Sequence, residues 1–168
     1  LTSRLCCALA LRFFHDNIDV VIAPAIGGVI LSQWVAHHLS EINSREVLGV
    51  YAEKSGGGEA FVIKRGYDKL ITNKRVLVVE DVLTTGGSVK KVIEATRATG
   101  GNVIGLGVLC NRGGMNAEHY IGDIPKFIAL VNAAIAEGWR PQGGLGFFKE
   151  WNSRFTQAMI RDQSKNSN

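Results

Sequence analysis

The stretch Val76–Ser88, VLVVEDVLTTGGS, decides the fold of this chain. Its first four residues form a continuous apolar run, which is typical of a strand buried on both faces of a parallel sheet. Hydroxyl and glycine residues follow, and apolar side chains then recur every three or four positions over 86–99, which predicts an amphipathic helix. A buried strand that leads through a short loop into such a helix is the repeating unit of α/β proteins.

The same alternation continues from this stretch in both directions. Further strands are expected over 19–23, 48–52, 61–64, 103–109 and 126–131. Further helices are expected over 1–15, over 30–39 and around Trp151, Phe155 and Met159. The sequence therefore predicts one α/β domain over 1–168, with a doubly wound, mostly parallel central sheet flanked by helices. Ligands of such sheets bind beyond the carboxyl ends of the strands.

The composition is that of a globular protein. Apolar residues make up 46% and charged residues 20% of the 168 residues, and the net charge of +4 comes from scattered basic residues. Nucleic-acid binding would need these cations gathered on one face, so no nucleic-acid partner is expected. No apolar stretch suggests a signal peptide or a membrane span. The three cysteines and four histidines lack metal or disulfide spacing, so we expect a cytoplasmic protein with reduced thiols and no metal ligands of its own.

Two acids, Glu80 and Asp81, follow the buried apolar run directly. Carboxylates beside a buried strand are costly unless they have partners, and at the carboxyl end of a strand they can bind a sugar cis-diol or a nearby magnesium ion. The segment TTGGS over 84–88 then opens a helix, where glycines, hydroxyls and helix N-terminal amides suit a phosphate. The patterns GxxxxGK[ST] and GxGxxG are absent. The order of these groups predicts a site for a sugar phosphate.

The stretch resembles the phosphoribosyl-diphosphate signature of the type I phosphoribosyltransferases, and its TTGGS variant resembles the orotate branch of that family. Four segments match in order over about 19–114: VVIAPAIGGVIL, VYAEK, FVIKRGY and VLVVEDVLTTGGSVKKVIE. The resemblance implies the type I phosphoribosyltransferase fold. It also implies transfer of a phosphoribosyl group from 5-phosphoribosyl 1-diphosphate to orotate, which gives orotidine 5'-phosphate and diphosphate in pyrimidine nucleotide biosynthesis.

The resemblance further implies how the sugar phosphate is bound. Glu80 and Asp81 would bind the ribose 2- and 3-hydroxyls. The substrate-binding segment would continue through Val82 and Leu83, and the 5-phosphate would be held by Thr84, Thr85, Gly86, Gly87 and Ser88. The diphosphate would meet the backbone of a loop that often contains a cis peptide bond in this family, here formed by Ala25, Ile26, Gly27 and Gly28.

Basic residues complete the implied site. Lys54 matches a lysine that contacts the diphosphate, and with the two acids it forms the expected catalytic set. Lys64 and Arg65 follow in the FVIKRGY segment and are expected to bind substrate, the alternative being a solvated strand end. Arg112, in CNRGG, matches an arginine that pairs with the carboxylate of orotate, a pairing that suits the planar guanidinium group.

The resemblance has implications beyond these residues. Magnesium would be bound mainly through phosphoribosyl diphosphate, and a homodimer would form in which the Lys54 loop of one subunit reaches the partner's site. The Gly-rich loop over 55–58 would close over the reacting groups. The N-terminal segment that helps to build the base pocket of orotate enzymes has no match here, so we expect a segment to precede Leu1 in the natural protein. A purine phosphoribosyltransferase and a non-catalytic regulator that binds phosphoribosyl diphosphate are the alternatives.

Overall fold

The computed structural model describes residues 2–57, 60–113, 123–136, 139–141 and 159–161. The helices in these ranges are α1 (Thr2–Leu11), α2 (Val29–Asn43), α3 (Tyr67–Ile71), α4 (Gly87–Ala98) and α5 (Leu130–Ala136). The strands are β1 (Val20–Pro24), β2 (Leu48–Lys54), β3 (Phe61–Val62), β4 (Arg75–Leu83), β5 (Asn102–Asn111), β6 (Phe127–Ala129), β7 (Trp139–Pro141) and β8 (Met159–Arg161).

A six-stranded sheet in the order β3-β2-β1-β4-β5-β6 forms the centre of the fold. Its strands pair in parallel, except that β3 runs antiparallel to β2 at one edge. β1 lies between β2 and β4, with Ile22 opposite both Val50 and Val78. The chain therefore winds from β1 first toward one edge and then toward the other. This arrangement confirms the predicted doubly wound, mostly parallel α/β fold.

The apolar core has two parts, one on each face of the sheet. Along β4, Val76 and Val78 belong to a cluster that includes side chains of α4, whereas Leu77 and Val79 belong to a cluster that includes side chains of α1 and α2. All four valine and leucine side chains are fully buried. Successive residues of a strand point to opposite faces, so a strand covered on both faces needs the continuous apolar run that its sequence shows.

The acidic pair lies inside β4, which corrects the expectation that the strand ends at Val79. The strand continues to Leu83, and Glu80 pairs in register with Val108 of β5. Strand pairing is made by backbone groups, so it can continue past the point where the side chains become polar. Both carboxyl groups are therefore attached to regular sheet backbone instead of to a loop.

Other boundaries near the edges of the fold also differ from expectation. α1 ends at Leu11 and turns follow it, although the apolar pattern continues to about 15. β3 contains only two of the four residues expected in it. The helix α3, a little more than one turn long, follows in a charged segment whose pattern indicated no helix.

The C-terminal half contains two further corrections. The apolar run over 126–131 divides between β6, which ends at Ala129, and α5, which begins at the next residue. Met159 lies in β8 and pairs with Pro141 of β7, so the helix expected through Trp151, Phe155 and Met159 is wrong at Met159. Backbone pairing determines the conformation there, and this pairing cannot be predicted from the four-residue spacing of large apolar side chains. Trp151 and Phe155 lie outside the described residues.

No helix in the described part of the chain is long and apolar enough to cross a membrane.

Candidate active site

The carboxyl ends of the central strands bring the predicted site residues to one edge of the sheet. Pro24 at the end of β1 pairs with Ala52, two residues before Lys54 ends β2. On the other side of β1, the parallel register with β4 reaches Ile22 opposite Val78, two residues before Glu80. Parallel strands end at a common edge, so the loop after β1, the end of β2 and the acidic pair of β4 are neighbours.

Glu80 and Asp81 interact directly with each other. The Asp81 N–H donates to Glu80 Oε1 at 3.0 Å, and the Val82 N–H donates to Asp81 Oδ1 at 2.7 Å. The pKa of Glu80 is raised to about 8, first by burial and then by the side chain of Asp81, and the Asp81 N–H partly offsets these two effects. Glu80 therefore keeps its proton at neutral pH in the protein alone, and a protonated carboxyl group can donate a hydrogen bond as well as accept one.

The segment after the acidic pair forms a turn into α4, and we call residues 84–88 the phosphate turn after the ligand that the resemblance implies for it. Thr84, Thr85 and Ser88 are exposed at this turn, and Gly86 is buried with a φ of 78°. That left-handed conformation favours glycine. Among the described residues, no side chain caps the helix by a hydrogen bond at Gly86, and the Gly87 N–H makes a long contact of 3.5 Å with Thr85 Oγ1. Amides of the first helical turn lack partners within the helix, so this turn presents N–H and hydroxyl donors to an anion.

The loop between β1 and α2 (residues 25–28), which we call the diphosphate loop after the ligand that the resemblance implies for it, lies against both neighbouring strands. Ala25 N–H donates to the Ala52 carbonyl at 2.8 Å, which ties the loop to β2. On the side of β4, a Cβ atom on Gly27 would meet Asp81 Oδ2. The peptide bond between Ala25 and Ile26 is cis, as the resemblance implied for this loop. The loop thus lies between Lys54's strand and the acidic pair.

Gly28 closes the loop against the end of β1. A Cβ atom at this position would lie 2.6 Å from Ala23 Cβ and 2.9 Å from the Pro24 carbonyl oxygen. Those separations are shorter than van der Waals contact, so only glycine lets α2 begin this close to the strand. Close packing against β1 therefore requires glycine at position 28, whereas the structure leaves room for a Cβ atom at position 27.

The basic residues near β2 form a group around Glu53. Arg65 Nε lies 2.8 Å from Glu53 Oε1, and Lys64 Nζ lies 3.9 Å from Glu53 Oε2. Lys54, the next residue after Glu53, is exposed at the end of β2, where it pairs with Phe61 of β3. Successive residues of a strand point to opposite faces, so these contacts group Lys64 and Arg65 with Glu53 and not with the side chain of Lys54. The ion pairs of Lys64 and Arg65 are with Glu53 and not with the acidic pair.

Arg112 follows β5 directly and lies next to the end of β4. Its N–H donates to the Leu83 carbonyl at 2.7 Å, and Gly113 N–H donates to the same oxygen at 3.3 Å. The Arg112 side chain is exposed, and its positive charge partly offsets the rise that burial causes in the pKa of the Cys110 thiol. Since Leu83 also begins the phosphate turn, Arg112 stands beside that turn at the same edge of the sheet.

Two residues that the sequence did not single out contribute to the geometry. Glu53 holds the basic group described above, and the alternation of opposite charges in YAEK and FVIKRGY is a signal from which a cross-strand ion pair is predictable. Asn132 of α5 accepts from Asn111 N–H at 2.9 Å and donates to the Asn111 carbonyl at 3.1 Å. A single polar residue in an apolar helix gave no indication of that contact.

A protein-family model matches the part of the chain that contains this site. The phosphoribosyl transferase domain matches residues 6–136 of this chain. The chain belongs to the phosphoribosyl transferase domain family. The match includes α1 through α5 almost entirely, and it covers the diphosphate loop, the acidic pair, the phosphate turn and Arg112.

Relatives of this phosphoribosyl transferase domain carry a more specific name. The orotate phosphoribosyltransferase of Pelotomaculum thermopropionicum is 49% identical over 108 residues, which are 64% of this chain and 52% of that protein. The orotate phosphoribosyltransferase of Thermus thermophilus is 43% identical over 110 residues, which are 66% of this chain and 56% of that protein. The chain thus spans about half the length of the curated relatives it matches.

Solved structures share the fold of this phosphoribosyl transferase domain. The adenine phosphoribosyltransferase of Saccharomyces cerevisiae superposes with a TM-score of 0.62 and 19% identity, covering 77% of this chain and 78% of that one. The orotate phosphoribosyltransferase of Mycobacterium tuberculosis superposes with a TM-score of 0.58 and 20% identity, covering 75% and 70%. At these identities the likeness concerns the fold, which adenine and orotate enzymes have in common.

Proposed function

We propose that this protein transfers the phosphoribosyl group of 5-phosphoribosyl 1-diphosphate to orotate, releasing diphosphate and forming orotidine 5'-phosphate. The observation that carries the proposal is the contact region between the diphosphate loop and the acidic pair, where Gly27 and Asp81 are neighbours. A loop for one anion and a turn for another, separated by two carboxyl groups, match the three parts of that sugar. The curated relatives at 40–49% identity support orotate as the base.

The acidic pair is proposed to bind the ribose hydroxyls. Asp81 lies under the diphosphate loop and Glu80 carries a raised pKa, so the pair offers both acceptor oxygens and a donor to a cis-diol. The turn at 84–88 would then hold the 5-phosphate through hydroxyls and backbone amides. The two ends of the sugar phosphate would be fixed in this way while the bond at C1 is left open to attack.

The residues present fit a magnesium ion that is bound mainly by the substrate. Among the described residues, no group of three His, Cys, Asp or Glu side chains could hold a metal ion. Glu80 and Asp81 are two carboxyl groups near the proposed diphosphate position, and hard oxygen ligands of this kind suit Mg²⁺ as a supplement to phosphate oxygens. When bound, the ion would neutralise charge on the leaving diphosphate.

Lys54 is proposed to act on the diphosphate as it departs. Breaking the bond at C1 places positive charge on the sugar and negative charge on the leaving group, so a fixed cation near the leaving group lowers the barrier. Lys54 is exposed at the end of β2, and the Gly-rich loop begins at Ser55, whose N–H donates to the Ala60 carbonyl at 2.8 Å. The lysine therefore stands at the base of a hairpin that can bring it over a bound substrate.

Arg112 is proposed to select the base. A carboxylate on the base would pair with its guanidinium group, and the position of Arg112 at the same edge of the sheet as the acidic pair and the phosphate turn supports this role. Purine bases lack a carboxylate and could not form that pair. The difference between orotate and a purine thus depends on this side chain.

A homodimer is proposed from an exposed apolar stripe that starts in the diphosphate loop. Ile26 is 88% exposed, Ile30 62% and Trp34 39%, and their four-residue spacing places Ile30 and Trp34 on one face of α2. Large exposed apolar side chains in a row mark interaction surfaces. A second copy that covers the stripe would lie next to the candidate site, where the Lys54 hairpin of one subunit could reach the other.

Diphosphate release tests the function directly. The full chain is incubated with magnesium, 5-phosphoribosyl 1-diphosphate and, in separate reactions, orotate, adenine, hypoxanthine or uracil. We expect release with orotate alone, and its loss in Asp81→Asn, with Asp68→Asn on α3 as the matched control. Release of diphosphate with a purine would mean that this purine, and not orotate, is the base that the protein uses. Binding of 5-phosphoribosyl 1-diphosphate without release by any base would indicate the non-catalytic regulator instead.

A further inference from the structure

The side chain of Asn132 completes the edge of the sheet next to Arg112. Asn132 Oδ1 accepts the Asn111 N–H at 2.9 Å, and Asn132 Nδ2 donates to the Asn111 carbonyl oxygen at 3.1 Å. The N–H and C=O of one strand residue point to the same side of the strand. The amide of Asn132 therefore bonds both backbone groups of Asn111 at once, as a paired strand residue would.

The contact lies where strand pairing stops. β6 pairs with β5 only through Leu106, Gly107 and Val108, and the last pair joins Val108 to Ala129. β5 continues to Asn111, three residues beyond the end of β6. Asn132 belongs to the first turn of α5, which begins directly after β6, so its side chain takes the place of a longer β6 at the last residue of β5.

The opposite side of the same segment is held by β4. Arg112 N–H donates to the Leu83 carbonyl at 2.7 Å, and Gly113 N–H donates to the same oxygen at 3.3 Å. Asn111 Oδ1 also accepts from Gly113 N–H at 3.0 Å. The backbone that carries Arg112 is thus fixed on one side by Leu83 and on the other by Asn132. The direction in which the Arg112 side chain leaves the backbone follows from these contacts.

We infer that Asn132 is a positioning residue for the base, acting through Asn111 on the placement of the Arg112 guanidinium group; the inference rests on the function proposed above. Asn132 touches neither the sugar phosphate residues nor, in this inference, the base itself. Its loss leaves the diphosphate loop, the acidic pair and the phosphate turn unchanged. Binding of the base should therefore weaken while binding of the sugar diphosphate does not.

Two variants separate positioning from general stability. Asn132→Leu keeps the size of the side chain and removes both hydrogen bonds. Asn132→Asp keeps the acceptor for Asn111 N–H but turns a carboxylate oxygen toward the Asn111 carbonyl, so it loses the donor alone. Asn102→Leu is the matched control, because Asn102 is the exposed first residue of the same strand, at the edge of the sheet away from the site.

The first measurement follows kinetics. We expect Asn132→Leu to raise KM for orotate about tenfold while KM for 5-phosphoribosyl 1-diphosphate changes less than about twofold, and Asn102→Leu to change neither. Asn132→Asp should show the same split. An equal rise in both KM values, or no rise for orotate in an active protein, overturns the inference.

The second measurement does not depend on activity. Hydrogen exchange of the Asn111 amide, followed by NMR on the full chain, should be faster in Asn132→Leu than in the wild type and in Asn102→Leu, and nearly unchanged in Asn132→Asp. If the wild type fails to use orotate, the proposed function is wrong. The role of Asn132 in holding the Asn111 backbone is then tested by the exchange rate of the Asn111 amide alone. Unchanged exchange in Asn132→Leu rejects that role whatever base is used.

Discussion

Gly27 lies against Asp81, so that a Cβ atom added to the glycine would stand 3.9 Å from Asp81 Oδ2. The two residues come from different strands, one following β1 and the other inside β4, and the parallel pairing of those strands brings them together. The space between them is open to a ligand but small. A Cβ atom at Gly27 would occupy part of that space in ordinary van der Waals contact with the carboxylate.

Gly27→Ala should leave stability nearly unchanged and weaken binding of 5-phosphoribosyl 1-diphosphate. A Cβ atom at 3.9 Å makes ordinary contact, so the free energy of unfolding should change by less than about 0.5 kcal/mol. Gly28→Ala is the comparison, because its Cβ atom would stand 2.6 Å from Ala23 Cβ and should cost about 1–3 kcal/mol. Urea denaturation and KM for the sugar diphosphate measure both effects. An unchanged KM for the sugar diphosphate in Gly27→Ala would show that the diphosphate does not bind at this loop.

Glu80→Gln should change how stability depends on pH. Folding raises the pKa of Glu80 from 4.5 to about 8, so the native state holds a proton that the unfolded chain loses above pH 4.5. The stability contribution of this group is complete below about pH 4.5 and falls as the pH rises toward 8, at most by about 1.4 kcal/mol for each pH unit. Gln cannot lose that proton. Urea denaturation between pH 5 and 9 should show wild-type stability falling relative to Glu80→Gln.

Glu94→Gln, on the exposed face of α4, is the matched control for that experiment. A constant difference in unfolding free energy between the wild type and Glu80→Gln across the whole range would mean that Glu80 is charged in the folded protein at neutral pH.

Lys54→Ala should depress turnover more than substrate binding. The positive charge is needed most when the diphosphate leaves, and loss of one such stabilising group lowers kcat by on the order of 100-fold. Lys74→Ala, just before β4 at the opposite edge of the sheet, should keep wild-type turnover. Steady-state kinetics with both substrates provide the test, and preserved kcat in Lys54→Ala contradicts the role of this lysine.

Arg112→Lys should impair use of orotate even though the charge is kept. A single ammonium group cannot reproduce the two parallel hydrogen bonds of a guanidinium–carboxylate pair, and a lost charged hydrogen bond is worth about 1.5–3 kcal/mol. KM for orotate should rise roughly tenfold or more, with KM for the sugar diphosphate unchanged. Equal use of orotate by the two proteins would place the base carboxylate elsewhere.

Trp34→Glu should convert a dimer to a monomer. The substitution adds a charge to the apolar stripe of Ile26, Ile30 and Trp34, and desolvation of that charge in an interface is costly. Leu70→Glu, on α3 and 37% exposed, is a matched control outside the stripe. Sedimentation velocity of the three proteins measures the change. Either a monomeric wild type or a dimeric Trp34→Glu protein argues against this interface.

The parts of the fold that the sequence predicted are those in which side-chain burial determines the backbone. β1 and the first half of β4 are buried on both faces, and their apolar runs reveal them. The second half of β4 depends on backbone pairing with β5, which polar side chains do not reveal. The division of the run over 126–131 between β6 and α5 has the same origin, because both elements are apolar there.

The site shows a similar division. The residues named from the sequence lie in contiguous segments, and the structure places the diphosphate loop, Lys54, the acidic pair, the phosphate turn and Arg112 at one edge of the sheet. What the sequence could not show are contacts between distant segments. Asn132 contacts Asn111, 21 positions away, and has no local pattern that predicts this contact, whereas the charges of YAEK and FVIKRGY do indicate the ion pair between Glu53 and Arg65.

Glu53 is the counterion of two basic residues, Lys64 and Arg65. The cluster of Glu53, Lys64 and Arg65 contains two cations and one carboxylate, a net charge of +1. An arriving polyanion is attracted by that reduced charge, and to bind Lys64 or Arg65 it must compete with a carboxylate that is already in place. Until then the carboxylate offsets the repulsion between the two cations. The net charge of the cluster therefore determines how strongly the polyanion is attracted from a distance. The strength of the ion pairs with Glu53 determines how readily Lys64 and Arg65 can bind the polyanion on contact.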